Sequence, residues 1–459
     1  MALRNRLRQF AVAPFARSVG ILVGGTAFAQ AILVLILPVL TRLYAPGDFD
    51  LLAVFTGVVS IISVAVALRY DIAVPLPEDD VDGLALVVLG AGISTGISLI
   101  IAVPFVLAPM AVAGLIGQPD LAPFLWLIPL VTLTTGLYSV LTFWFVRKKS
   151  FGTIARGRVF QSIGNASTQA GLGLLGIAPG GLLLGQLANT GLGTLQLGWH
   201  LLKLERGNLQ RLDGRRIWHN AVAYRKFPLF SSVESIANSA ALYLPIILLS
   251  SMASGPEAGY LLLGMYALQA PMSIIGGAVS QVYMSRGPQE YRAGRLGDFS
   301  VEVIGGLIKT GIGPLVALGI AAPEVFELVF GPDWGRAGQL VTWMTPWFAL
   351  QFLSSPVALT LHITGQVRTA MVLQIFGLAL RVVSIPAAAL LATAPFSESY
   401  ALSGAIFYGV YLFTIIHAAK ASWVEAARLT VKALPIIAVW VVLGIAAKLV
   451  APLLGGILG

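Results

Sequence analysis

Few residues in this chain can do chemistry, and those that can sit inside apolar runs. Arg381 falls near the middle of one, with Gln374, Gly377 and Ser384 at helical spacing on its face. Lys309 is similarly deep in another, with Glu302 two turns back on roughly the same face. Ser231, Glu234, Ser235 and Asn238 share one face of a third. A charge at the centre of a bilayer costs about 2.5 to 3.5 kcal/mol even on a lenient scale, so each such group needs a partner, water or a ligand. An arginine there offers a planar fork to the oxygens of an anion, or else closes a structural ion pair or caps a carbonyl. Lys309 fits the same anion chemistry or snorkels to the membrane edge. Glu234 suits a proton or cation, and equally a helix-pairing carboxylate.

Uncharged polar residues form further stripes: Thr26 and Gln30; Thr132, Thr135, Ser139 and Thr142; Gln161, Asn165 and Thr168; Gln269, Ser273 and Ser280. Each reads either as the lining of a wet cavity or as glue between helices, since hydroxyls and glycines favour close packing within membranes. Arg42 and Lys448 lie near the ends of their runs, where snorkelling explains them, and His362 and His417 are interfacial. The acidic residues Asp48, Asp50, Asp120, Glu257, Glu324, Glu327, Asp333 and Glu398 are spread over short loops, without the paired carboxylates or His cluster that acid/base or metal chemistry requires. Glycine-rich matches such as Gly171-Leu172-Gly173 lack a strand-to-helix context. Cysteine is absent, which excludes disulfides, cysteine-based metal sites and thiol nucleophiles. No enzyme activity, metal or cofactor is expected.

The elements that must position these groups are membrane spans. Apolar residues make up 57% of the chain and charged ones only 11%, with a mean hydropathy of +0.87; a soluble domain carries about 25% charged residues. A span needs roughly 20 apolar residues. Thirteen are found, near 18–41, 51–68, 83–109, 121–146, 158–178, 180–202, 229–252, 257–284, 301–322, 337–360, 369–393, 400–419 and 433–454. The basic tract 1–17 reads as a retained cytoplasmic tail, because the run after it is too long for a signal-peptide core. Lys and Arg then concentrate on alternate loops, 147–158, 203–226, 286–295 and 420–432 with Arg69 and Arg368, while the opposite loops hold only Arg42 and Arg336. That bias places the N-terminus in the cytoplasm and the chain in a bacterial inner membrane. The net charge of +9 is thereby a topology signal beside anionic lipid, and no nucleic-acid partner is expected.

The fold class is all-α, a polytopic bundle. Six spans at 18–202 form one lobe, a basic amphipathic connector covers 203–228, six spans at 229–419 form the second, and 433–454 adds a thirteenth helix. Leu37-Pro38-Val39-Leu40 followed by Pro46-Gly47-Asp48 and Leu51-Leu52 is echoed by Leu244-Pro245-Ile246-Ile247, Pro256-Glu257-Ala258 and Leu261-Leu262, the two prolines 207 residues apart. An even number of spans per half implies a repeat about the membrane normal, a geometry that encloses a central cavity.

The tract 24–80 resembles the start of the Wzx-type polysaccharide-biosynthesis flippases of the multidrug/oligosaccharidyl-lipid/polysaccharide exporter superfamily. The matching residues are Gln30, Pro38-Val39-Leu40-Thr41-Arg42-Leu43-Tyr44, Pro46, Asp48-Phe49 and Arg69-Tyr70-Asp71-Ile72-Ala73-Val74 with Leu76-Pro77. A second tract, Phe330-Gly331-Pro332-Asp333-Trp334-Gly335-Arg336-Ala337-Gly338 with Pro346 and Ser355-Pro356, is similar to the same family. Asp50 departs from the glycine expected after Phe49. The resemblance implies two six-helix lobes that open alternately inward and outward. It implies as substrate an undecaprenyl-pyrophosphate-linked oligosaccharide destined for O-antigen, capsule or exopolysaccharide, with membrane lipids, a polymerase and a chain-length regulator as partners. On this reading Arg381, Lys309, Arg69, Arg42, Asn238, Gln30 and Gln374 are candidate substrate contacts, and Glu234 and Asp71 candidate ion-coupling groups. Arg69 and Asp71 also read as an interfacial salt bridge and turn. A drug or cation antiporter of the same superfamily would favour acidic cavity residues, and a polymerase would need a large outer loop; the deep bases and short loops argue against both.

Overall fold

The computed structural model describes residues 14–391 and 396–458, apart from a few side chains within them, that of Glu234 included. Residues 1–13 of the predicted tail lie outside that description. Every predicted span contains helix, and no strand occurs among the described residues. Among the described residues, nine helices, counting two interrupted ones as single runs, are long and apolar enough to cross a membrane, so the chain is a multi-pass membrane protein. The other predicted spans are the helices Phe151–Leu174, Gly180–Leu204, Glu257–Arg292 and Gly335–Ser354. Their amide and hydroxyl residues lower their hydropathy; on Phe151–Leu174, Ser162, Asn165 and Gln169 are buried against other helices, where small and polar groups pack closely.

The chain forms two compact units, Met1–Tyr44 with Leu51–Tyr243, and Ala45–Asp50 with Leu244–Gly459. In the first, the Asp80–Leu107 and Leu127–Arg147 helices pack around Leu84, Leu86, Val140, Trp144 and Phe145. The Phe151–Leu174 helix crosses the first helix, Pro14–Leu35, closely enough that a side chain on Gly25 would lie 2.7 Å from the Ala155 Cβ. Its amide stripe meets glycines of Gly180–Leu204: a Cβ on Gly193 would run into Gln161, and one on Gly185 into Asn165 and Gln169. Gln169 donates to the Leu182 carbonyl at 3.1 Å and its own carbonyl accepts from Tyr44 at 2.7 Å. This stripe is interhelical glue.

In the second unit the core gathers Tyr283, Phe299, Ile304, Phe407, Tyr411 and Ile415. The span from 301 is interrupted by a π-helical turn, Ile308–Ile312, between the helices Leu296–Leu307 and Gly313–Phe330. Gly311 and Gly313 there admit the rings of Phe352 and Trp440. Gly331, at φ +110°, ends the second segment in a conformation that side chains rarely adopt. The last helix, Trp423–Leu458, packs on Gly313–Phe330, where Gly444 meets the Ala317 backbone and Lys448 pairs with Glu324 at 3.6 Å.

Candidate functional site

Arg381 is the most deeply set cation of the second unit. It lies on the Val367–Leu391 helix and is only 3% exposed. Gly377, one turn away, leaves room for the Phe407 ring. The guanidinium carbon then sits 4.7 Å from the centroid of Phe407, 5.5 Å from Tyr408 and 5.6 Å from Trp347. Nε and Nη2 are buried with no hydrogen-bond partner among the described residues, and so are the Trp347 indole N–H and the Gln351 side-chain oxygen one turn further along Gly335–Ser354. Cation–π contacts return about 1 to 2 kcal/mol each in a dry site. Desolvating the charge costs several kcal/mol, and each orphaned donor adds about 1 to 3. The cage therefore holds a cation poorly compensated for stability, with donors left to meet an anion's oxygens.

The remaining candidates scatter. Lys309 is exposed on the π-helical turn, and no ion pair joins it to the equally exposed Glu302 among the described residues. The insertion of the turn shifts the helical register between them, which a regular 3.6-residue spacing does not anticipate. Gln374, Asn238 and Arg42 are exposed and Gln30 is half-buried. The Glu234 side chain lies outside the described residues.

In the first unit, Asp71 is 3% exposed in a single helical turn, Tyr70–Ala73. Leu68 and Arg69 precede it with φ of 47° and 59°, two consecutive left-handed non-glycine residues. Such residues cost about 1 to 3 kcal/mol each, so packing must hold them. The strained bend presses Asp71 against Ser139, whose hydroxyl donates to Oδ2 at 2.6 Å. Arg69 reaches the same oxygen only at 3.9 Å, and both its Nε and Asp71 Oδ1 are buried without partners among the described residues. Sequence had assigned Arg69 and Asp71 to one motif and Ser139 to a separate stripe; the bend joins them.

Beside this bend, one end of the first unit is clamped by charge. Arg147, at the end of Leu127–Arg147, donates to Asp80 at 2.9 Å, to Glu78 O at 3.0 Å and to Pro77 O. Lys148 bridges Asp80 at 2.6 Å and Glu205 at 3.0 Å. Burial pulls the Lys148 ammonium down, but its bonds to Asp80 and Glu205 outweigh that and hold it above the ordinary lysine range. Arg216 reaches Asp82 at 2.6 Å and also pairs with Asp79. In the second unit, Arg336 gathers Glu257 at 2.9 Å and Glu398 at 2.6 Å, so two of the acidic residues expected to be dispersed share one cation. Arg158, expected in a loop, instead lies within Phe151–Leu174 and donates to Thr26 on Pro14–Leu35.

What sequence reasoning missed is the cage itself. Trp347, Gln351, Phe407 and Tyr408 come from two further helices, and only the i, i+4 spacing of Trp347 and Gln351 hinted at a shared face.

The described residues thus form a polytopic membrane bundle with one deeply buried cation, Arg381, in its second unit. The fold matches that of a lipid II flippase MurJ in an inward closed conformation, with a TM-score of 0.66 and 13% identity over 95% of this chain and 97% of that one. It also matches an inward-facing multidrug resistance MATE family transporter of the MOP superfamily, with a TM-score of 0.65 and 14% identity over 85% of this chain and 95% of the other. A MOP superfamily transporter from Pyrococcus furiosus aligns with a TM-score of 0.52 and 14% identity, over 89% and 97%. No curated protein matches by direct sequence comparison. Residues 39–337 match the polysaccharide biosynthesis protein family, and the chain belongs to that family.

Proposed function

We propose that the protein is a flippase that moves undecaprenyl-pyrophosphate-linked oligosaccharide repeat units from the cytoplasmic to the outer leaflet of a bacterial inner membrane, by alternating access, for surface polysaccharide synthesis. The observation that carries this reading is membership of the polysaccharide biosynthesis family on a fold shared with a lipid II flippase along 95% of the chain. The chemistry of Arg381 agrees with it. A pyrophosphate needs a cation with free donors, and Arg381 supplies two unpaired nitrogens beside the unpaired indole N–H of Trp347. An antiporter of cationic drugs would be poorly served by that buried base. Asp71, with one buried oxygen unpaired, is the candidate ion-coupling group of the first unit. The lipid tail stays in the bilayer while the sugar crosses within the bundle, so no covalent step is required.

The test is deletion of the gene in its host, followed by leaflet-specific labelling of extracted lipid-linked oligosaccharides and measurement of surface glycan. Complete single repeats trapped on the inner leaflet, with surface polymer lost, are the expected result. Repeats that reach the outer leaflet unpolymerised would identify a polymerase instead.

A further inference from the structure

The connector helix Gly214–Ala223 has two opposed faces, and only one is used by the protein. Asp213 caps its start by accepting from the Arg216 amide at 2.8 Å. From there Arg216, Ile217 and Asn220 turn inward. Arg216 pairs with Asp79 and Asp82, and Asn220 donates to Asp82 at 3.0 Å. Nearby, the Tyr70 hydroxyl donates to the Ala221 carbonyl at 2.9 Å. The opposite face carries Arg215, Trp218, His219 and Val222, and Arg225 and Lys226 follow in the turn directly after its end. All six are exposed, Trp218 by 70% and Val222 by 43%, and no acidic residue shares that face.

We infer that this outward face is an anionic-phospholipid-binding surface, with Trp218 and Val222 seated at the headgroup boundary and Arg215, Arg225 and Lys226 on the lipid phosphates. The depth of the helix supports this. Asp79 and Asp82 flank the start of Asp80–Leu107, a helix long and apolar enough to cross a membrane, so the Arg216 clamp tethers the inner face of the connector near the level where that span begins and leaves the outer face to settle against the headgroups. A tryptophan and a valine flanked by cations at that level have the composition of an in-plane helix, and tryptophan favours the membrane interface over water. Charge complementarity chooses the occupant. A face with cations and no acid favours anionic over neutral headgroups, an attraction that decays within a Debye length. Arg216 is excluded from this count because its charge is already matched by aspartates.

The natural absence of cysteine makes the test direct. Full-length Val222→Cys protein, carrying a single nitroxide, is reconstituted into bilayers of phosphatidylcholine alone and into equal parts phosphatidylcholine and phosphatidylglycerol. Power saturation with oxygen and with a water-soluble nickel chelate reads label depth. The expected result is a label shielded from nickel in the mixed bilayers and shifted toward water in the neutral ones, with the shift lost when Arg215, Arg225 and Lys226 are all replaced by Gln. A label equally open to nickel in both bilayers overturns the inference, as does a depth that ignores lipid charge. The readout is independent of transport, so its outcome is separate from that of the flippase reading.

Discussion

The Asp50 carboxylate accepts the backbone N–H of Ala258 at 2.9 Å, and through the same oxygen that of Gly259 at 3.2 Å. Its other oxygen takes the Ser250 hydroxyl. A side chain 4% exposed thereby satisfies donors at the start of Glu257–Arg292, where the helix dipole also favours a negative charge. The resemblance leads to the expectation of a glycine here, and the aspartate that stands in its place is a cap. Asp50→Ala is expected to lower unfolding stability by about 2 kcal/mol, the upper part of the range for a lost N-cap. Asp50→Asn, which keeps one acceptor oxygen, should lose about half as much. Thermal unfolding of the purified variants in detergent checks the order; an Asn variant as weak as the Ala variant would show that charge, not acceptance, matters.

A close approach of backbones makes the second prediction. A Cβ on Gly338 would lie 2.6 Å from Pro323 Cα and still nearer the Ala322 carbonyl oxygen. Because backbone cannot rotate away as a flexible side chain can, Gly338→Ala must separate Gly335–Ser354 from Gly313–Phe330. A loss of about 1 to 3 kcal/mol is expected. Gly306→Ala, inside Leu296–Leu307 where nothing lies within 4 Å, is the control and should unfold no earlier than the parent, since alanine is the better helix former.

Much of this was legible in sequence, for a physical reason. Lipid forces every spanning segment to satisfy its backbone internally, so apolar length alone announces helices. The resemblance at Arg69–Asp71 and at Phe330–Gly338 also pointed to positions that prove structurally special, one a left-handed bend and the other a tight helix crossing. What sequence hid depends on departures from regular geometry or on distant helices. The π-turn at Ile308–Ile312 carries Lys309 to an exposed position, and the Arg381 cage is assembled from three helices whose rings look like ordinary apolar content one at a time. Likewise Glu257 and Glu398 are far apart in the chain, and only folding places them on Arg336.

The clamp around Arg147 should not tolerate lysine. Its side chain, 9% exposed, serves Asp80 and the carbonyls of Pro77 and Glu78 from three nitrogens of one fork. A lysine ammonium is a point charge and cannot span those acceptors. Arg147→Lys is expected to cost about 2 kcal/mol, and Arg147→Met more, since hydrogen bonds to charged groups are worth about 1.5 to 3 kcal/mol each. Increased proteolysis in the 74–80 segment, followed by mass spectrometry, would report the loosening.

Lys148 gives the clamp an alkaline limit. Its bonded state is held above the ordinary lysine range, so its contribution to stability is complete below the unfolded-state pKa of about 10.4. The contribution disappears as pH rises through the higher folded value. Parent protein should therefore lose thermal stability across that alkaline window more steeply than Lys148→Met, whose curve lacks this step. Parallel curves would mean that the Asp80 and Glu205 contacts add nothing.

Arg381 separates a structural from a functional role most cleanly, because the two predict opposite signs. If the buried guanidinium served stability, Arg381→Met would unfold the second unit. Replacing a poorly compensated buried charge by an apolar side chain of similar volume is instead expected to leave the melting temperature unchanged or raised. Transport should nevertheless fail, because the anion fork is gone. Arg381→Lys retains the charge but offers no fork. The loss of one charge-assisted hydrogen bond of about 1.5 to 3 kcal/mol then predicts roughly 10- to 100-fold weaker handling of substrate. Trp347→Phe keeps a ring beside the cation but deletes the unpaired N–H together with part of the packed indole, so it should show a smaller deficit of the same kind, read against its own melting temperature. Surface glycan and the inner-leaflet pool of lipid-linked repeats are measured together, with protein amount in the membrane as the reference. Normal glycan in Arg381→Met at normal abundance would remove the residue from the substrate's path and leave the cage as packing alone.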